Sequence, residues 1–145
     1  DKHTKGLICV NIELMLDYCM RFYERQFVTR QDMNLDTLAR FEKLIDDYFD
    51  AGLAATDGIP SVRYFADKIC LSPNYFGDLV KKETGRSAKE YIQLKMLRAA
   101  KESLLDPEKS VSQVAYALGF QYPQHFVRFF KRYEGMTPGQ YRQTN

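Results

Sequence analysis

Apolar residues recur at helical spacing along almost the whole chain and no stretch sustains strand-type alternation, so the pattern predicts an all-α fold. Near the start, Ile8, Ile12, Met15, Cys19 and Phe22 follow a 4-3-4-3 spacing, and Leu16, Met20, Tyr23 and Phe27 trace a stripe beside it. The combined face is wider than one packing partner needs. It reads either as a core helix of a further domain or as a dimerisation helix, with residues 1–33 forming a dimerisation and linker segment. After the polar run from Arg30 to Met33, Asn34 is placed to cap a second helix, with Asp36 in its first turn and Leu38, Phe41, Ile45, Tyr48 and Phe49 facing inward.

Boundary signals divide the rest, residues 34–145, into short helices. Gly52 to Pro60 reads as a loop, and Ser61 caps a helix through about Ile69. Ser72 followed by Pro73 starts another, which stops at Gly85. Ser87 with Glu90 forms a capping-box pattern for a longer helix to about Leu105, ending before Pro107. Ser110 with Gln113 opens a helix that ends at Gly119, where a left-handed cap suits glycine. Tyr122 and Pro123 start the next, which stops at Gly135, and Thr137 with Gln140 heads a short terminal helix.

Two of these stretches are copies. Ser61, Val62, Phe65, Ala66, Ile69 and Leu71 match Ser110, Val111, Val114, Ala115, Leu118 and Phe120 at an offset of 49. Pro73, Phe76, Lys81, Gly85 and Ser87 match Pro123, Phe126, Lys131, Gly135 and Thr137 at an offset of 50, so one residue enters at the turn. A repeat that preserves caps, turns and apolar positions together marks one structural unit used twice. Each copy is a short helix, a tight turn and a longer helix, the helix-turn-helix arrangement whose second helix enters the DNA major groove. The bland reading is a helical repeat with no role on DNA. The predicted fold is two helix-turn-helix units, residues 61–85 and 110–135, joined by a long helix over 87–105 and preceded by the dimerisation helix.

Charge sharpens this picture. Residues 1–58 carry 7 Lys/Arg against 11 Asp/Glu, whereas residues 59–145 carry 14 against 8, so the repeat region is the basic part of a chain with net charge +2. An apolar content of 45% is ordinary for a globular protein with a real core and excludes a disordered tail. Cys9, Cys19 and Cys70 lie in apolar surroundings without metal-binding spacing and are expected to be reduced core thiols, which points to the cytoplasm. Leu7 to Met20 is broken by Asn11, Glu13 and Asp17 and predicts neither a membrane span nor a signal peptide. The chain starts at Asp1 without an initiator Met, which reads as a segment of something longer.

With these features in place, residues from about 35 to 143 resemble the DNA-binding domain of the AraC/XylS family of bacterial regulators. In the second unit Val114, Ala115, Leu118, Gly119, Phe120, Phe126, Arg128, Phe130, Lys131, Gly135, Thr137, Pro138, Tyr141 and Arg142 stand in the family's signature order. The first unit fits through Ala66, Ser72, Pro73, Asn74, Tyr75, Phe76, Leu79 and the run Lys81 to Gly85, and the joining helix through Ala99, Ala100, Leu104 and Leu105. It departs at Asp78 and Val80, where the family usually has Arg and Phe. The resemblance implies a transcription regulator with recognition helices in successive major grooves of double-stranded promoter DNA. RNA polymerase is a partner by the same resemblance. It also implies a separate sensing or dimerising domain, of which residues 1–33 look like the helical end. No cofactor, metal or membrane partner is implied.

The recognition helices are expected over about 73–84 and 123–134. Phe126, Phe129 and Phe130 supply the buried side of the second, leaving Gln124, His125, Val127, Arg128, Lys131 and Arg132 for groove and solvent. Arg128 suits a bidentate contact to guanine and Gln124 one to adenine. In the first, Asn74 suits adenine, Gly77 permits close approach, and Asp78 either accepts from a cytosine amino group or forms a salt bridge that reads nothing. Lys81, Lys82, Arg86, Lys131 and Arg132 near helix ends are phosphate contacts or simply a solvated face, and Gln121 and Tyr122 complete the candidate set. His125 has no nucleophile or paired carboxylate in its motif, so the sequence does not read as an enzyme. The competing function is a helical interaction module whose basic face binds an acidic protein.

Overall fold

In the computed structural model, which describes all of residues 1–145, the chain forms eight helices and no strand. They are α1 (Lys2–Asp50), α2 (Leu53–Asp57), α3 (Val62–Ile69), α4 (Pro73–Thr84), α5 (Ala88–Leu104), α6 (Val111–Ala117), α7 (Pro123–Glu134) and α8 (Pro138–Thr144). Contacts divide the chain into two units, Asp1–Thr37 and Leu38–Asn145.

The first unit is helical from Lys2 onward, and its apolar stripe residues Ile8, Ile12, Met15, Phe22 and Phe27 are all exposed. Asn34 does not start a helix, because α1 runs through it without a break; it is a buried residue inside the helix. The physical reason is that Arg30, Gln31 and Met33 are polar or flexible but good helix formers, and no Gly or Pro interrupts residues 7–51. Thr29 and Thr37 satisfy their hydroxyls within the helix, on the carbonyls of Arg25 and Met33, each at 2.9 Å.

The second unit holds two cores that share α5. Phe41, Ile45 and Tyr48 of α1 pack with Phe65, Ala66 and Ile69 of α3, Phe76 and Val80 of α4, and Ala88 and Ile92 of α5. Phe41 presents its ring edge-on to Phe65 and Phe76, with centroids 5.4 and 4.8 Å away. Met96, Leu97, Ala100 and Leu104, further along α5, pack with Val114, Ala115, Leu118, Phe120, Phe126 and Phe130. Phe49 touches both cores. Val80, which replaces the family's Phe, is fully buried in the first.

The caps follow the sequence closely. Ser61, Ser72 and Ser87 accept from the amides of Tyr64, Tyr75 and Glu90, and reciprocal boxes close at Ser110 with Gln113 and Thr137 with Gln140. Glu90 does not return a bond, so the cap of α5 is one-sided. The segment read as a loop contains α2, one and a half turns started by Gly52 at φ 72°. Leu53, Ala54 and Ala55 support a helix once it is enclosed by Gly52 and Gly58, both at positive φ.

All three cysteines are exposed, contrary to the expected core thiols, and the burial argument for a reducing compartment goes with them. Cys9 and Cys19 have apolar neighbours in sequence, but those neighbours are themselves exposed. Cys70 ends α3 at φ 64° as the only non-glycine residue with positive φ, and it occupies the place that Gly119 holds in the second copy. A side chain in this region costs about 1–2 kcal/mol, partly offset by the extra freedom glycine has when unfolded. Cys70→Gly is therefore expected to raise stability by about 0.5–1 kcal/mol, read as a higher urea midpoint at unchanged slope. A lower midpoint contradicts the strain argument.

Polar ties also hold α5 in place. The Tyr91 hydroxyl donates to Glu42, and Lys95 pairs with Asp46 at 3.4 Å. Burial, the Glu42 hydrogen bond and the Glu42 and Asp46 charges push the Tyr91 phenol above its ordinary 10.0. Both states keep this proton below pH 10.0; above it the unfolded chain releases the proton first, and stability falls. Tyr91→Phe is expected to lose about 1–2 kcal/mol at pH 8 and to decline less steeply than wild type between pH 10 and 11 in urea titrations. Parallel declines would count against the assignment.

Candidate nucleic-acid interface

The two copies are built by the same local bonds. In the first, the left-handed Cys70 lets the Leu71 amide return to the Ala66 carbonyl at 2.9 Å; in the second, Gly119 lets Phe120 return to Ala115 at 3.0 Å. Pro73 and Pro123 each occupy the first turn of the following helix. Both helices stop on a glycine with φ 76°, Gly85 and Gly135, whose amides bond the carbonyls of Lys81 and Lys131 at 2.8 Å. The difference lies at the N-caps. Ser72 caps α4 with its side chain, whereas Tyr122 makes no side-chain cap to α7.

Burial separates the two sides of each second helix. Phe76, Leu79 and Val80 of α4 and Phe126 and Phe130 of α7 are buried, with Phe129 half-buried. Asn74, Asp78, Lys81 and Lys82 are exposed on α4, and Gly77 is half-buried among them. On α7, Gln124, His125, Arg128, Lys131 and Arg132 are exposed and Val127 is half-buried. Residues 74, 78 and 82 are four apart, as are 124, 128 and 132, so each set lies along one helix face. Gln121 and Tyr122 are exposed immediately before α7, and Arg86 is exposed just past Gly85.

Several of these side chains are held by neighbours. Tyr122 meets the His125 ring edge-on at 5.5 Å, and the Arg132 guanidinium lies 5.4 Å from the centre of the Tyr133 ring. Tyr133 in turn donates its hydroxyl to Gln93 of α5 at 2.7 Å, and Glu134 pairs with Lys101 of α5. These bonds fix the inner edge of α7 against the joining helix while its outer face stays polar. The ion pairs Lys95–Asp46, Arg98–Glu102 and Lys101–Glu134 use none of the candidate contact residues.

Tyr75 is not among the contacts expected from the sequence. It is 54% exposed on α4, at the position that His125 occupies on α7. The repeat offset of 50 carries the signal, because it pairs every candidate of one helix with a residue of the other. Tyr141 and Arg142, by contrast, serve packing. Tyr141 meets Phe130 edge-on at 5.4 Å, and Arg142 Nε donates to the Leu104 carbonyl at 2.9 Å, fastening α8 to the end of α5.

Two helix-turn-helix units on a shared helix, each turning a polar second-helix face outward, define a tandem helix-turn-helix domain. Residues 65–144 match the family described as helix-turn-helix domain. The chain is 38% identical over 78 residues to the HTH-type transcriptional regulator YtdP of Bacillus subtilis (strain 168), covering 54% of this chain and 10% of that protein. Among solved structures it is similar to the C-terminal domain of the two-component response regulator yesN from Fusobacterium nucleatum. That match has 27% identity and a TM-score of 0.58, over 70% of this chain and 96% of that one. The C-terminal domain of the response regulator AraT from Geobacillus stearothermophilus matches with 25% identity and a TM-score of 0.66, over 75% and 85%. The chain belongs to this helix-turn-helix family, in its AraC type. It spans from 10% to 46% of the length of curated relatives such as YtdP and AdaA of B. subtilis.

Proposed function

We propose that this chain is the sequence-specific, double-stranded DNA-binding part of a transcription regulator, with α4 and α7 in successive major grooves. The observation that carries this reading is the duplication: two second helices, built by equivalent turns, each present an exposed polar face at equivalent positions. Arg128 and Gln124 read bases from α7; Asn74 and Asp78 do so from α4, with Gly77 allowing close approach. Lys81, Lys82, Arg86, Lys131 and Arg132 meet phosphates and set register. Gln121, Tyr122, His125 and Val127 border the α7 contacts.

Titration of a selected duplex and a scrambled one at two salt concentrations tests this. Both affinities are expected to fall with salt while the preference for the selected duplex persists. Affinities that track salt alone, without preference, favour the competing reading of a basic face for an acidic protein.

The reading extends to a cytoplasmic activator that contacts RNA polymerase, and to a homodimer through the apolar residues 7–28. No helix is long and apolar enough to cross a membrane. Exposure of Ile8, Ile12, Met15 and Phe22 along one spacing supports self-association. Mass measurement in solution is expected to show a dimer that becomes a monomer when residues 1–33 are deleted. A monomer in both cases overturns this part.

A further inference from the structure

A second connection joins the two helix-turn-helix units, independent of the shared helix α5. After α1 ends at Asp50, residues Ala51 to Pro60 form a strap that holds α2 and leads into Ser61, the cap of α3. The strap is anchored in the first core, where the buried Tyr48 donates its hydroxyl to the Gly58 carbonyl at 2.7 Å. Its far side lies on the turn of the second unit. A Cβ placed on Gly119 would stand 2.6 Å from Gly58 C and Ile59 N, and 3.1 Å from the Ala54 carbonyl oxygen. Backbone therefore meets backbone, and α2 packs against α6.

Gly58 holds this course with φ 85° and ψ −170°, a conformation essentially confined to glycine. Gly119 has φ 94° and lies four residues before α7. The contact thus joins the segment that starts the first helix-turn-helix unit to the turn that aims the second recognition helix. A helix alone bends gently along its length; a second attachment away from that helix closes a frame and removes the remaining freedom of one unit against the other.

We propose that the strap, through its Gly58–Gly119 contact, sets the separation of the two recognition helices and so determines which half-site spacing the protein reads. Tyr48 and Gly58 are positioning residues that touch no base. The inference rests on the proposed reading of DNA by α4 and α7. One base pair is about 3.4 Å of rise and roughly 35° of rotation, so a frame with little play accepts one spacing and rejects its neighbours.

The test uses the full chain and a duplex selected by the wild-type protein from a random pool, resynthesised with one or two base pairs added or removed between its half-sites. Wild type is expected to bind the selected spacing at least about tenfold tighter than its neighbours. Gly58→Ala, which forces the strap off its course, and Tyr48→Phe, which keeps the buried ring but removes the anchor, are expected to shrink that discrimination to about threefold or less. Both should keep affinity for a duplex with the α7 half-site alone, which a general loss of fold would abolish. If Gly58→Ala does not fold, Tyr48→Phe carries the test. A wild-type spacing optimum that Tyr48→Phe or folded Gly58→Ala retains overturns the strap's role alone. A wild-type protein with no spacing optimum overturns the two-helix reading and this inference with it.

Discussion

Gly119→Ala is expected to lower the unfolding free energy by about 3–5 kcal/mol, a large share of the roughly 5–15 kcal/mol that holds an ordinary domain folded. Two costs add. The left-handed φ of 94° penalises any Cβ, and that Cβ would stand 2.6 Å from two backbone atoms of residues 58 and 59. Backbone cannot rotate aside as a flexible side chain can, so the second unit must shift against the strap. Gly135→Ala separates the costs, because Gly135 has φ 76° but open space where a Cβ would be. It should lose only about 1 kcal/mol. Denaturant titrations of both variants, monitored by circular dichroism, check the pair. Equal losses would remove the close approach from the explanation.

Arg128→Ala is expected to reduce affinity for the selected duplex by about 10- to 100-fold and to relax preference at one base pair. Arg128 sits in the middle of α7's exposed stripe, one turn from both Gln124 and Arg132. Phe126 and Phe130 are fully buried on the opposite side, so truncating Arg128 leaves the core intact. Lys131→Ala is the control for charge alone. A phosphate contact has no base preference, so this variant should weaken all duplexes alike and lower the salt slope by about one. An Arg128→Ala protein that behaves the same way, with sequence preference retained, would reassign Arg128 to the backbone.

Much of this architecture is legible in the sequence because its signals are local. Ser61, Ser72, Ser110 and Thr137 announce helix starts, and Gly85 and Gly135 announce stops, through bonds that reach three or four residues. The duplication then supplies the tertiary plan, since a unit used twice implies the same turn and the same buried face twice. The AraC-type signature is largely a packing signature: Val114, Ala115, Leu118, Phe120, Phe126 and Phe130 are all in the second core.

What escaped the sequence reading depends on distant neighbours or on taking one property for another. Gly119 was legible as a left-handed cap, but its second constraint comes from residues 58 and 59, about sixty positions away. Cys70 stands in Gly119's place in the repeat, and that alignment outweighs the usual burial of free cysteine. At Arg30 to Met33 polarity suggests a helix break, although Arg30, Gln31 and Met33 extend a helix well and outweigh Asp32. On the interface, the polar positions of α4 and α7 follow from periodicity, while Tyr75, absent from the expected contacts, is exposed.

The central claim is that two recognition helices read duplex DNA together, and selection of tight-binding sequences from a random duplex pool with the full chain tests it most directly. The account predicts convergence on two half-sites whose centres lie about one helical turn, 10 to 10.5 base pairs, apart. A pool that enriches no sequence, with retention governed by salt alone, would contradict it.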